Sequence, residues 1–417
     1  MASTRRDFLR YSTVAGALAV AQPLDAAEQK QVTFEELDRV AAAPVLQVES
    51  LTSPVKIESM ELLRNERTFL VRVRSNGGGE GISVANASRL KDAYPIFLNR
   101  VAPFCVGKDA RRWEDHLWEL YRNQSNYKFQ GLAFWVCVAA AEIAVLDLLG
   151  KLAGKSIGEL LGGVRQREIA VYRASGNRGN RPEEEVEFLK KLVAETGARA
   201  VKFRLGGRMS KNADSLPGRT EALIPLVRKS LGDDMTLYAD SNSSYDAENA
   251  IRIGRLMEVH NYGFFEEPCR FDQLEETKQV ADALTIPIAG GEQEFSHWRF
   301  RQMIYHRMVD IVQPDLHYYG GLVRAMRVAR MAEAAGMLCV PHMSGAGLGY
   351  LDVAHFVSSI PNAGPHHEFK GNTKLPIHCD TSSLKCEKGI VRVPSGPGYG
   401  VTIDPDFVRK AERVTTF

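Results

Sequence analysis

The sequence contains no paired-cysteine motif. Its six cysteines, Cys105, Cys137, Cys269, Cys339, Cys379 and Cys386, have neither CxxC nor zinc-ligand spacing, which excludes a zinc ribbon and a thioredoxin-like redox pair. No GxGxxG closes a first strand, so the nucleotide fingerprint of a doubly wound sheet is missing. Neither charge sign is in excess. The 53 Lys and Arg against 51 Asp and Glu leave a net charge of +2, and nucleic acid is not an expected partner. What remains is a 417-residue chain, 44% hydrophobic and 25% charged. It is long enough for one large or two ordinary domains with a sizeable core.

The first residues stand apart from the fold. Arg5-Arg6-Asp7-Phe8-Leu9-Arg10 precedes a modest apolar run from Val14 to Val20, and Ala19-Val20-Ala21 offers the small-x-small pattern of a cleavage site. This order resembles a twin-arginine export signal. The run is too short for a stable membrane span. The expectation is a signal over 1–21, cleavage after Ala21 and a periplasmic protein. Cleavage removes Arg5, Arg6, Arg10 and Asp7, taking the side-chain charge from +2 to 0. Export permits disulfides, but a protein exported already folded can equally keep free thiols, so both states stay open.

Residues 22–47 are rich in Ala, Gln and Glu and read as a linker or irregular arm. A β-meander follows. Val55-Lys56-Ile57 starts one strand, and Thr68 to Arg74 alternates at period two. Leu63 to Arg67 reads as a short loop between them, and Asn76 to Gly81 as the next turn. A helical stretch, most apolar from Leu132 to Leu149, ends at Gly150 and Gly154. These residues make a small α+β domain over 48–163. From 164 to 370 short apolar strands alternate with amphipathic helices. The strands are expected at Ile169–Tyr172, Ala200–Arg204, Thr236–Ala239, Gly263–Glu266, Ile286–Ala289, Asp310–Gln313, Leu338–Pro341 and His366–Phe369. This alternation fits a (β/α) barrel better than an open sheet. Residues 371–417 form a C-terminal segment.

Nearly every barrel strand ends in a charged or polar group: Lys202 and Arg204, Asp240 and Asn242, Glu266, Glu292, Asp315, His342, Glu368. In a parallel barrel these ends converge on one face. Three carboxylates brought together repel one another, and a hard divalent cation such as Mg²⁺ relieves that. Asp240, Glu266 and Glu292 are therefore the candidate metal ligands. Asp315 and His342 end neighbouring strands, and a carboxylate on one imidazole nitrogen fixes the tautomer and raises the basicity of the other. His342 is the candidate base. Lys202 and Arg204 share a strand face and suit a substrate carboxylate. His297, His306, His317 and His355 carry no such context and read as plain helix or loop histidines.

The series Lys-x-Arg, Asp-x-Asn, Glu-Glu-Pro, Gly-Glu, Asp, His, Glu resembles the mandelate racemase subgroup of the enolase superfamily. Ala139 to Lys151 is similar to its cap helix, Leu160-Leu161-Gly162-Gly163 to its entry into the barrel, and Pro394 to Val401 to its C-terminal return. The resemblance implies a modified (β/α)₇β TIM-type barrel with an N-terminal α+β capping domain and a C-terminal segment returning to the cap. It assigns Asp240, Glu266 and Glu292 to Mg²⁺, His342 with Asp315 to the base, Glu368 to the substrate carboxylate opposite the metal, and Lys202 beside that carboxylate. It also implies a homo-oligomer.

Arg204 departs from the Lys-x-Lys frequent in this family. Racemisation needs proton exchange on both substrate faces, and an arginine stays protonated. One-sided abstraction by His342 followed by loss of the β-hydroxyl is then favoured. The expectation is Mg²⁺-dependent dehydration of a sugar acid, aldonate or aldarate, to a 2-keto acid. The alternatives are a racemase or epimerase of a 2-hydroxy acid and a non-catalytic exported sugar-acid-binding protein. Asn242, Arg173, Lys370 and Tyr318 are further candidate substrate contacts, and the segment Ser83–Ser88 is a candidate to reach the site.

Overall fold

The computed structural model describes residues 30–344, 348–370 and 375–415; the expected signal lies outside them. The described chain falls into two compact units. One comprises Tyr172–Gly290 and Gln302–Ile311, the other Lys30–Val171, Gly291–Arg301 and the chain from Val312 onward.

The second unit begins with a correction. Within the expected linker, Phe34–Ala42 forms a helix, α1. Thr33 caps it by accepting the Glu36 N–H at 3.1 Å, Glu35 and Glu36 face its positive end, and Leu37 and Ala41 are buried. A capped helix with an apolar stripe docks even when its composition looks like linker. The following residues are also tied down, because Glu114 accepts the N–H groups of Val45 and Leu46.

Strands β1 (Ile57–Asn65), β2 (Thr68–Ser75) and β3 (Glu80–Val84) form an antiparallel meander. The expected loop from Leu63 is a tight two-residue turn, with Leu63 to Asn65 still in β1 and Glu66 at φ 53°. The chain's last strand, Glu412–Arg413, pairs with β1. Helix α2 (Leu132–Ala153) covers the sheet. It is long and apolar enough to cross a membrane, but 89% of its apolar window is buried within the protein, as in a core helix. Gly81 lets β3 approach it closely, since a Cβ there would overlap the Ala144 carbonyl.

A parallel sheet follows, most of it in the first unit. Strands β4 (Glu168–Ala174), β5 (Ala200–Arg204), β6 (Thr236–Asp240), β7 (Phe264–Glu266) and β8 (Ile288–Gly290) lie in sequence order. Helices α3 (Pro182–Thr196), α4 (Arg219–Leu231), α5 (Ala247–Val259) and α6 (Leu274–Ala283) follow the first four. Register places the chemistry. Arg204 lies beside Asp240, and Asp240 beside Glu266. Side chains in register on parallel strands share a face, so the three form one layer at the strand ends. Two residues earlier, Lys202 lies beside Tyr238, and Tyr238 beside Phe264. The last two rings stack at 4.0 Å, flooring the polar layer with an apolar one.

Strands β9 (Ile311–Val312), β10 (Leu338–Cys339) and β11 (His367–Glu368) are shorter than the sequence suggests. Pro314 and Pro341 follow the first two and lack the N–H that would extend the ladder. Helices α7 (Leu322–Ala334) and α8 (Gly349–Ser359) flank β10 in the chain. Buried Glu142 of α2 accepts the Val323 N–H at the start of α7 and the Trp113 indole N–H. Gly321, at φ 114°, precedes α7, and a Cβ there would overlap the Glu142 carboxylate. Gly321→Ala is expected to lower stability by about 2–4 kcal/mol through backbone strain and overpacking. Thermal melting checks this, and an unchanged midpoint would contradict it.

Candidate active site

The sheet of the first unit presents two buried ion pairs. The Lys202 ammonium lies 2.7 Å from both Glu266 oxygens, and both side chains are fully buried. Its Nζ also sits 5.0 Å above the Tyr172 ring. Arg204 pairs with Asp240. Asn242 then reaches back. Its N–H donates to Asp240 Oδ1 at 2.6 Å, and its Nδ2 to Asp240 Oδ2 at 3.0 Å and Glu267 Oε2 at 3.2 Å. Asn242, Ser243 and Glu267 all have positive φ, at 41°, 62° and 42°. Such non-glycine strain concentrates at functional sites. Arg173 is half-buried on β4.

The second unit presents the candidate base. The His342 N–H donates to Pro314 O, and the two strand ends meet in a parallel bridge, Asp315 with His342. Nδ1 of His342 lies 2.7 Å from Asp315 Oδ2. Asp315 Oδ1 accepts the N–H groups of His317 and Tyr318, each at 2.8 Å. An ionised carboxylate only accepts, so Nδ1 carries a proton whatever the charge of the ring, and Nε2 is the nitrogen left to gain or lose one. Nε2 lies 3.3 Å from Glu292 Oε2 and 3.8 Å from Glu368 Oε2. Burial alone would depress the imidazole. The Glu292 charge, the Asp315 hydrogen bond and Glu368 outweigh burial and push it up to about 9. Burial would likewise raise the Asp315 carboxyl, but the His342 hydrogen bond and charge hold it below its ordinary range.

Glu368 accepts the Met343 N–H, while Lys370 bonds to the Met343 carbonyl and stands 3.4 Å from Glu368. The cap enters the same unit's site. Asn86 donates to the Ser344 hydroxyl at 2.8 Å, and Arg89 to the Tyr318 hydroxyl at 2.9 Å. Asn86 belongs to the segment expected to reach the site, and Tyr318 is held by Arg89, just beyond that segment, rather than standing open.

His317 had only the reading of a plain loop histidine, yet it is buried two residues beyond Asp315. Its Nε2 lies 2.8 Å from Asp352, whose other oxygen accepts the Tyr399 hydroxyl at 2.7 Å. The Tyr399 N–H in turn donates to Asp147 of α2. This chain of contacts anchors the turn that supplies Asp315 with its two N–H donors. The Asp-x-His spacing was the available signal; nothing local points to Asp352 or Tyr399.

The candidate metal ligands offer only hard oxygen donors, and all three are buried. Glu292 Oε2 is a buried acceptor without a hydrogen-bond donor, a condition a cation relieves. The donor set therefore fits Mg²⁺, which takes carboxylate oxygens.

Residues 184–407 match the enolase C-terminal domain-like family, and residues 41–162 the mandelate racemase / muconate lactonizing enzyme N-terminal domain. The chain belongs to the enolase superfamily, and its fold is a modified TIM barrel with an N-terminal capping domain. Within that superfamily it falls in the mandelate racemase group. It is 26% identical over 334 residues to an arabinonate dehydratase of Saccharolobus solfataricus, covering 79% of this chain and 87% of that one. It is 28% identical over 344 residues to a D-galactonate dehydratase of Xanthomonas oryzae pv. oryzae, covering 80% and 87%. A crystal structure of a mandelate racemase/muconate lactonizing protein from Paracoccus denitrificans, complexed with magnesium, aligns with a TM-score of 0.79 at 26% identity. That alignment covers 87% of this chain and 99% of that one.

Proposed function

We propose that this enzyme dehydrates a sugar acid to a 2-keto acid with Mg²⁺ held by Asp240, Glu266 and Glu292. The observation that carries the reading is the buried His342–Asp315 dyad, whose Nε2 faces Glu292 and Glu368. A cation held there would supply positive charge against the developing enediolate, without which the α-carbon is too weak an acid. Lys202 offsets the substrate carboxylate, and Glu368 is that carboxylate's hydrogen-bond partner opposite the metal. His342 removes the α-proton through Nε2, and Asp315 stabilises the imidazolium. The imidazolium then returns that proton to the departing β-hydroxyl, which leaves as water. The enol that remains tautomerises to the 2-keto acid.

Arg204 argues against racemisation. It occupies the place of a second base but pairs with Asp240 and is a permanent cation by chemistry. The dehydratases of Saccharolobus and Xanthomonas support the same reading. Incubation with a panel of aldonic and aldaric acids should give 2-keto acids with Mg²⁺ and none after chelation. A broad panel without turnover would sink the proposal.

Export and a homo-oligomer belong to the same proposal. Export rests on the arginine pair, apolar run and Ala19-Val20-Ala21. Arg5→Lys combined with Arg6→Lys should hold the protein in the cytoplasmic fraction, and unchanged periplasmic recovery would contradict export. The oligomer rests on family membership, and light scattering that gives a monomer mass would contradict it.

A further inference from the structure

Behind the His342–Asp315 dyad stands a second imidazole–carboxylate pair. His317 Nε2 lies 2.8 Å from Asp352 Oδ2, and the Tyr399 hydroxyl donates to Asp352 Oδ1 at 2.7 Å. Asp315 Oδ1 accepts the His317 N–H at 2.8 Å, so one residue joins the two pairs. His317, Asp315, Asp352 and Tyr399 are all buried, and all belong to the second unit.

Charge makes this arrangement more than an anchor. His342 has to be neutral before it can take a proton. In that state it offers the buried Asp315 carboxylate a hydrogen bond but no positive charge. A buried carboxylate without a counter-charge is driven to take up a proton itself. A protonated Asp315 would turn its O–H to His342 Nδ1, and the ring's one proton would then sit on Nε2, where the lone pair is needed. His317 stands where it can prevent this. An ionised Asp352 accepts from both Nε2 and Tyr399, and the ring has carboxylates on two sides. Burial would depress this imidazole, but the Asp352 hydrogen bond and charge, with the Asp315 charge, hold it above its ordinary value. Burial in turn raises the Asp315 carboxyl, and the His317 charge is one of those that hold it down, after the His342 hydrogen bond and charge.

We propose that His317 is a positioning residue for the base: as an imidazolium set between Asp352 and Asp315, it keeps Asp315 ionised and fixed while His342 stands neutral. This rests on the reading of His342 as the base. His317 acts through Asp315 and takes no part in the proton transfer. Tyr399, from the C-terminal segment, serves the same end by fixing Asp352.

Two measurements on full-length enzyme test the assignment. With histidine labelled by ¹⁵N, ring-nitrogen NMR at pH 7 should show both His317 nitrogens protonated, and His317→Gln identifies the signals by their loss. A neutral ring overturns the inference whatever the substrate proves to be. The second measurement is turnover per Mg²⁺ site, with sites counted by calorimetric titration. His317→Gln, whose amide still donates toward Asp352, should lower kcat per site about 10–100-fold, the range for an outer partner that orients a functional side chain, with KM little changed. Tyr399→Phe leaves the dyad and His317 intact and should lower it in the same direction by a smaller factor; it serves also if His317→Gln does not fold. A purely structural role would reduce the number of Mg²⁺ sites and leave turnover per site unchanged, and that result overturns the inference while dehydration stands. Failure of every sugar acid to react overturns the dehydration reading instead. Exchange of the α-proton into deuterium oxide then supplies the rate per site, and the same two outcomes decide the role of His317.

Discussion

His342→Asn should lower kcat by about 10²–10⁴-fold, the range for a positioned general base, while Mg²⁺ binding persists. The amide preserves approximate shape and can still donate toward Asp315, but it cannot take a proton. The wild-type rate should rise with pH on its acid limb as Nε2 loses its proton, and that limb should vanish in the variant. The same group leaves a mark on stability. Its folded-state value is pushed up to about 9, above the ordinary range for histidine. In metal-free protein the His342 contribution is fully present below about pH 6.5 and is lost as pH climbs toward 9. A cation on Glu292 removes the largest of the charges that raise it, so the metal-loaded enzyme should show a weaker slope. Melting curves across that window, with and without chelator, should show the loss in the wild type and not in His342→Asn. Equal pH slopes in the two proteins would contradict the assignment.

Glu266→Gln should abolish detectable turnover and also destabilise the protein. Two effects combine. The first is loss of a proposed metal ligand, and with it several kcal/mol of stabilisation for the developing enediolate. The second is local. Lys202 and Glu266 are both fully buried, with both carboxylate oxygens 2.7 Å from the ammonium. Breaking such a pair from one side costs about 3–5 kcal/mol, whereas replacing both members by apolar groups of similar volume is often near neutral. Lys202→Met combined with Glu266→Leu should therefore recover much of the lost stability and none of the activity. Recovery of both would show that Glu266 is structural only. Calorimetric Mg²⁺ titration separates the two effects, since Glu266→Gln should weaken binding sharply.

Much of the barrel was legible because its signals are local. The apolar run Ala200–Arg204 is the strand β5 residue for residue. The acids that end β6 and β7 were visible because parallel strands put their C-terminal ends on one face. The dyad was legible for the same reason: Asp315 and His342 end strands consecutive in the sequence. The chain was less readable where partners are distant or composition misleads. Helix α1 sits in a stretch whose Ala, Gln and Glu resemble linker, and only Thr33, Leu37 and Ala41 acting together reveal it. His317 looked ordinary because Asp352 and Tyr399 come from α8 and the C-terminal segment.

The proposed chemistry is one-sided proton abstraction that ends in loss of water. Reaction of an aldarate with Mg²⁺-loaded enzyme in deuterium oxide, followed by proton NMR, tests it most directly. The expected product is a 2-keto acid, with deuterium entering at the methylene formed by tautomerisation. Exchange of the α-proton into solvent, with inversion at that carbon and no keto acid, would contradict it.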